Sequence, residues 1–336
     1  MEDKSKGIVY VATKRDKYVA EAFLSAASAK IVAPDIPITL FTNLVDSPFA
    51  RAPCFDNIVP VDTIEAFQRS WSEGQLDRIL CLPQSPYQYT LHLDSDTRVL
   101  SGEIRSVFSL LEQHDLAIVE CADDNSYSRR LYGQPMFNVG FILYRNGDKV
   151  RQLFHAWADL TAEHFGLARS EDDSQLECLA HIDDPDVRRK LLFMDQISMV
   201  QLLSPDVNRF GLDYLILDES WNYRGSRTGR PPPAELKVNH HPNLRKRYFV
   251  RDLAIQAMKC HGEGEPSLAL EILQWTDTEY PGNMNVMKFL ILCQLDMEQR
   301  DEAVRTLDRM LERFPGYGWA EAARARIQTR RGRNGD

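Results

Sequence analysis

The order of segments in the first half of the chain limits its fold more than any single residue does. Short β-rich apolar runs, "GIVYVAT" from Gly7, "IPITLFTN" from Ile36 and "CFDNIVPVD" from Cys54, alternate with helix-like stretches over the first half of the chain. "RDKYVAEAFLSAASAKIV" sets Tyr18, Ala22, Ser25 and Ala29 at helical spacing. "QLDRILCLPQSP" reads as a helix stopped by prolines, and "LAIVEC" and "MFNVGFILYRN" read as further strands. This β-α-β-α order predicts an α/β fold with a mostly parallel, doubly wound sheet and helices on both faces. In such sheets ligands bind beyond the carboxyl ends of the strands, where the βα turns converge.

One strand ends unusually. "YTLHLDSDTRVL", from Tyr89 to Leu100, passes from an apolar run into Asp94 and Asp96. Carboxylates at i and i+2 of an extended end point to one side and repel unless a cation neutralises them. Oxygen ligands suit Mg²⁺ or Mn²⁺, ions that keep positions open for phosphate oxygens. The pair therefore reads as a metal–diphosphate clamp. "LKVNHHPN" offers an imidazole, His240 or His241, and imidazole is a good Mn²⁺ ligand. The adjacent Arg245, Lys246 and Arg247 suit a pyrophosphate leaving group.

Helical periodicity continues in "KVRQLFHAWADLTAEHF" and "FMDQISMVQLLS", while "GLDYLILDESWNYRG" and "ELKVNHH" read as strands leading into loops. Beyond them the pattern changes. "ALEILQWTDTEYPG" and "AVRTLDRMLERFPG" superimpose at a period of thirty-four residues, aligning Ala269 with Ala303, Leu273 with Leu307 and Pro281-Gly282 with Pro315-Gly316. This resembles tetratricopeptide repeats, paired helices stacked through an Ala/Leu/aromatic seam. Residues 1–249 are expected to form the α/β domain and residues 250–331 a small all-α repeat region, able to dock a protein or peptide acceptor or partner.

Composition excludes several classes. At 43% hydrophobic and 26% charged residues, with no apolar stretch long enough to span a bilayer, the chain reads as an ordinary globular protein with no membrane span. Its start lacks the apolar region of a secretory signal, which predicts a cytoplasmic location. A net charge of −9 argues against nonspecific nucleic-acid binding. The six cysteines are dispersed, as buried free thiols would be.

"LHLDSDTRVL", "MFNVGFILYRN", "MDQ", "WNYR" and "VNHH", in this order, resemble the GT-A-fold nucleotide-sugar glycosyltransferases of the glycogenin and bacterial galactosyltransferase type. The resemblance runs from about Gly7 to Phe249. It implies a metal-dependent transfer of a sugar from a nucleoside diphosphate sugar to a hydroxyl acceptor, with retention of configuration and Mn²⁺ or Mg²⁺ as cofactor. Carried onto this chain, it assigns Asp94, Asp96 and His240 or His241 to the metal. Asp195, Gln196 and Asn138 fall near the reacting carbon, with Gly140 lining the sugar pocket. Thr13, Tyr18, Arg78, Ser95 and Asn222 are implied on the nucleotide-sugar. The family's glycine and lysine after the late histidine are not matched by "HHPNLRKR", so the phosphate contact passes to Lys246 or an arginine.

Three other readings compete. A haloacid-dehalogenase-type phosphatase wants D-x-D-x-T/V at its first strand, whereas Arg98 fills the fifth position here. A sugar-phosphate nucleotidyltransferase wants a glycine-rich loop that "VATKRDKY" lacks. A non-catalytic scaffold bearing repeats and a relic transferase domain would bind nucleotide weakly and without metal.

Overall fold

The computed structural model describes residues 5–65, 70–121, 125–169, 184–225, 230–240 and 246–333. The chain divides into two compact units, Met1–Pro242 and Asn243–Asp336.

The first unit is built on a seven-stranded sheet. Its strands are β1 (Lys6–Val11), β2 (Ile38–Thr42), β3 (Asn57–Pro60), β4 (Tyr89–Leu93), β6 (Leu116–Glu120), β7 (Phe137–Arg145) and β8 (Tyr214–Leu217), in the order β3-β2-β1-β4-β7-β6-β8. Two short strands, β5 (Thr97–Val99) and β9 (Val238–His240), pair antiparallel outside it. The mostly parallel sheet is the one the segment order predicts. β7 departs from it, running antiparallel to both neighbours. Sequence pattern does not mark the reversal, because a strand buried on both faces reads as a continuous apolar run in either direction.

Alternation along β1 sends its side chains to different helices. Tyr10 hydrogen-bonds Ser25 of α1 (Asp16–Val32) at 2.9 Å, while Val9 clusters with Cys81 of α2 (Ser70–Cys81). Helices therefore cover both faces. On the α2 side lie α4 (Asp148–Arg169), α5 (Pro185–Leu192) and α6 (Asp195–Leu203), packed on Leu116, Ile118, Phe137 and Tyr144. A further helix, α3 (Asn125–Tyr132), links β6 to β7.

β7 carries an irregularity where it borders the end of β4. Ile118 pairs with Ile142 but Val119 pairs with Asn138, so residues 139–141 are surplus to the β6 ladder. Bulges of this kind bend a strand and re-aim its side chains. Gly140 lies within it.

Among the described residues the second unit contains α7 (Lys246–Gly262), α8 (Pro266–Glu279), α9 (Met284–Asp296), α10 (Arg300–Arg313) and α11 (Gly318–Arg333). The starts of α8 and α10, and of α9 and α11, lie thirty-four residues apart. Ala269, Ala303, Leu273 and Leu307 are all fully buried at equivalent places. Gly282 and Gly316 end the matching turns with φ of 84° and 77°, where other residues are strained. Among the described residues no helix is long and apolar enough to cross a membrane.

Candidate functional site

Asp94 follows β4 directly, and a chain of buried hydroxyls sets the turn after it. Thr97 Oγ1 donates to the Asp94 carbonyl (2.8 Å), which leaves it to accept from Ser25 Oγ (2.7 Å), which in turn accepts from Tyr10. Every hydroxyl has a partner, as burial demands. β5 and β9 pair so that Thr97 faces His240, one residue from Asp96. His240 Nε2 consequently stands 3.1 Å from Asp96 Oδ1 and 3.5 Å from Asp94 Oδ2. Asp94, Asp96 and His240 each offer one ligand atom, all within 4.8 Å of one another.

The two oxygens of Asp94 have different surroundings. Oδ1 accepts from Arg78 at 2.7 Å and lies 3.4 Å from His92 Nε2. Oδ2 faces His240 and the bare backbone of Gly140. A Cβ on Gly140 would sit 2.5 Å from Asp94 Oδ2 and 2.7 Å from His240 Cε1, so this space exists only because residue 140 is glycine. Burial alone would raise the Asp94 carboxyl. Arg78, then His92 and His240, outweigh it and hold the group well below the usual carboxylate range. Burial keeps His92 below the usual imidazole range, although Asp94 beside it opposes the shift. Two carboxylates and an imidazole around a gap kept open by glycine fit a divalent cation such as Mn²⁺ or Mg²⁺.

Arg78 extends the cluster. Its guanidinium bridges Asp94 and Asp195 and lies 5.7 Å from the centre of the Trp157 ring. Asp195 is the first residue of α6, where a carboxylate is favoured by the helix dipole. Its carbonyl accepts from Trp157 Nε1 at 2.8 Å. The adjacent Gln196 is buried with Oε1 unpartnered. Across β7, Asn138 Nδ2 donates to the Asn222 carbonyl (3.0 Å) and its Oδ1 accepts from Gly140 N (3.3 Å). Asn222 is 1% exposed, and both of its side-chain amide atoms are without a partner. Trp221 packs on Phe141, ring centres 5.8 Å apart.

At the first βα turn Thr13 is buried and donates to Asp77 Oδ2 (2.7 Å), whose Oδ1 accepts from Ile64 N (2.8 Å). The carboxyl of Asp77 is raised by burial, against these hydrogen bonds. Lys14 beside it takes φ of 73°, a left-handed conformation held by Asn43 Oδ1 on its N–H and by Glu73 and the Ile64 carbonyl on its ammonium. Tyr18 is half-buried on α1, and Ser95 is half-buried between the two aspartates. Lys246 opens α7 in the second unit. His241 lies outside the described residues.

His92, Asp77 and Glu21 are not singled out by the sequence. His92 carries a usable signal, since i−2 on a strand shares a face with Asp94. Glu21 lies on α1, and its carboxyl is pushed up to about 7 by burial first and then by Asp96.

No family model matches this sequence, and no curated protein matches it. Solved structures with some likeness include an active-site mutant of LgtC, at 14% identity and a TM-score of 0.49, covering 73% of this chain and 94% of that one. A galactosyltransferase LgtC complex with donor and acceptor sugar analogues is also similar, at 14% identity and a TM-score of 0.46, covering 71% of this chain and 87% of that one. The glycosyltransferase GlyE of Streptococcus pneumoniae TIGR4, in its apo form, is 16% identical with a TM-score of 0.44, covering 71% of this chain and 55% of that one.

Proposed function

We propose that this chain is a glycosyltransferase of GT-A type that uses a divalent cation to transfer a sugar from a nucleoside diphosphate sugar to a hydroxyl acceptor. One observation carries the proposal. Asp94, Asp96 and His240 converge at the carboxyl end of β4, opposite a glycine whose missing side chain leaves room for an ion.

On this reading Asp94, Asp96 and His240 hold the cation, which when bound supplies positive charge to the diphosphate as it leaves. Arg78 and His92 hold Asp94 by its Oδ1, which leaves Oδ2 turned to His240 and Gly140, where it would serve as a ligand. Asn138 and Gly140 line the sugar, and the unanswered polar atoms of Asn222 and Gln196 await hydroxyls of the substrate. The Thr13–Asp77–Ile64 hydrogen bonds stiffen the turn assigned to the nucleotide, with Tyr18 beside it. Asp195 and Gln196 steady the positive charge that develops on the anomeric carbon, and we read the transfer as one with retention of configuration. The five helices of the second unit are read as tetratricopeptide-like repeats that bring a protein or peptide acceptor.

The test is a thermal-shift panel of nucleoside diphosphates with and without Mn²⁺, on the wild type and Asp96→Ala. A ligand of the native state raises the melting temperature by mass action. One nucleotide should act only with the ion and lose its effect in the variant. Equal shifts without metal would favour a relic scaffold and overturn the proposal. NMR of the first-formed product should show the anomeric configuration retained; inversion would remove that part alone.

A further inference from the structure

Arg224 differs from other arginines of the first unit. Arg78 is paired with Asp94 and Asp195, Arg129 with Glu120, Arg145 with Asp115 and Arg230 with Glu219. Arg224 has no carboxylate partner among the described residues. Its Nη1 touches Cys121 Sγ at 3.7 Å, and its Nε is enclosed with no acceptor. A half-buried guanidinium gives up hydration, and a thiol returns little of it.

Backbone hydrogen bonds hold the residue in place. Tyr223 N donates to Val238 O (2.9 Å), and Tyr223 O accepts from His240 N (2.9 Å), so Arg224 directly follows the residue that anchors the cluster histidine. On its other side Cys121 continues β6, its N–H donating to Met136 O (2.7 Å) just before Asn138. Two residues back, Asn222 is buried with its side-chain amide unanswered and its carbonyl bonded to Asn138. A guanidinium and a carboxamide thus stand unsatisfied on one short segment beside the proposed sugar pocket. An unanswered buried polar group costs stability, which a suitable ligand would return.

Its neighbours set this place on the Asn138 side of the cluster. β4 bears the clamp and β6 leads to Cys121, with β7 between them. Arg224 thus reaches from beside His240 to the end of β6. Asn138, read above as lining the sugar, and Asn222, read as meeting substrate hydroxyls, are its neighbours on that side.

We infer that Arg224 receives an anionic oxygen group, a carboxylate or phosphate, carried by the transferred sugar or by the acceptor. The guanidinium fork matches such groups with two parallel hydrogen bonds. The inference rests on the transferase reading of the same site.

Transfer or donor hydrolysis would be measured with a nucleoside diphosphate hexose and the corresponding uronic acid, each with a neutral and a phosphorylated acceptor. The wild type should prefer one anionic partner over its neutral counterpart by about tenfold or more in kcat/KM. The arm that shows the preference tells donor from acceptor. Arg224→Met should abolish the preference and Arg224→Lys should keep part of it. Manganese-dependent binding of the nucleoside diphosphate alone, followed by calorimetry, should be unchanged in both variants. Equal use of neutral and anionic partners by the wild type would overturn the inference and leave the transferase reading standing. So would an equal loss with every partner, or a loss of nucleotide binding, in Arg224→Met. Failure of the wild type to bind any nucleoside diphosphate with metal would overturn both.

Discussion

Gly140→Ala tests the proposed cation site with one added carbon. The new Cβ would lie 2.5 Å from Asp94 Oδ2, 2.9 Å from Asp94 Cγ and 2.7 Å from His240 Cε1, where ordinary contact begins at 3.4 Å. Asp94 cannot easily swing aside, because Arg78 at 2.7 Å and His92 at 3.4 Å already occupy its Oδ1. The imidazole is fixed too, since its strand is bonded on one side to Thr97 and on the other to Tyr223. Relief must come from displaced ligands or a shifted β7, and overpacking of this kind costs about 1–3 kcal/mol. Cation affinity should fall about a hundredfold, since even residues that only support metal ligands are worth about 10–100-fold. Calorimetric titration of Mn²⁺ with a nucleoside diphosphate reads the second effect, and the melting temperature without metal reads the first. Gly166→Ala is the matched control, because its Cβ meets nothing within 4 Å on α4. It should stabilise the protein by about 0.5–1 kcal/mol with ion binding intact. Wild-type manganese affinity in Gly140→Ala would refute the assignment of this gap to an ion.

Ser25→Ala should cost about 1–3 kcal/mol by stranding the buried Tyr10 hydroxyl, seen as a lower melting temperature, and should weaken Mn²⁺ binding by loosening the Asp94 turn. The Glu21 carboxyl has a folded-state value raised from 4.5 to about 7, so the folded state keeps a proton that the unfolded state releases. Its stabilising share is full below about 4.5 and is lost as pH rises to about 7, by at most about 3 kcal/mol. Glu21→Gln should flatten the pH dependence of the melting temperature across that window. Leu273→Ala and Leu307→Ala each empty a fully buried site in equivalent helices, and each should cost the second unit about 2–5 kcal/mol in denaturant unfolding.

Much of the framework is legible because the strands carry their own punctuation. The runs at Gly7, Ile36 and Tyr89 end in polar turns, and α1 and α4 show helical spacing, so the α/β order follows from local pattern. The aspartates are legible for the same reason, as two charges closing a five-residue apolar strand. What escapes depends on pairing between distant segments. The Thr97–His240 pairing that carries the imidazole to Asp96 joins two three-residue strands, too short to show alternation. The surplus at residues 139–141 is a matter of register, visible only against β6. Arg78 is singled out for a donor, yet its bonds to Asp94 and Asp195 join helices and strands that no spacing rule connects.

The Thr97–His240 pairing also affects when the site can come into being. Ribosomal synthesis delivers both acids long before the imidazole, so a growing chain has half a chelator until its last strand in this unit emerges. If the proposed ion is captured at that moment, it would fasten early and late segments together and so add to the stability of the fold as well as serving the proposed chemistry.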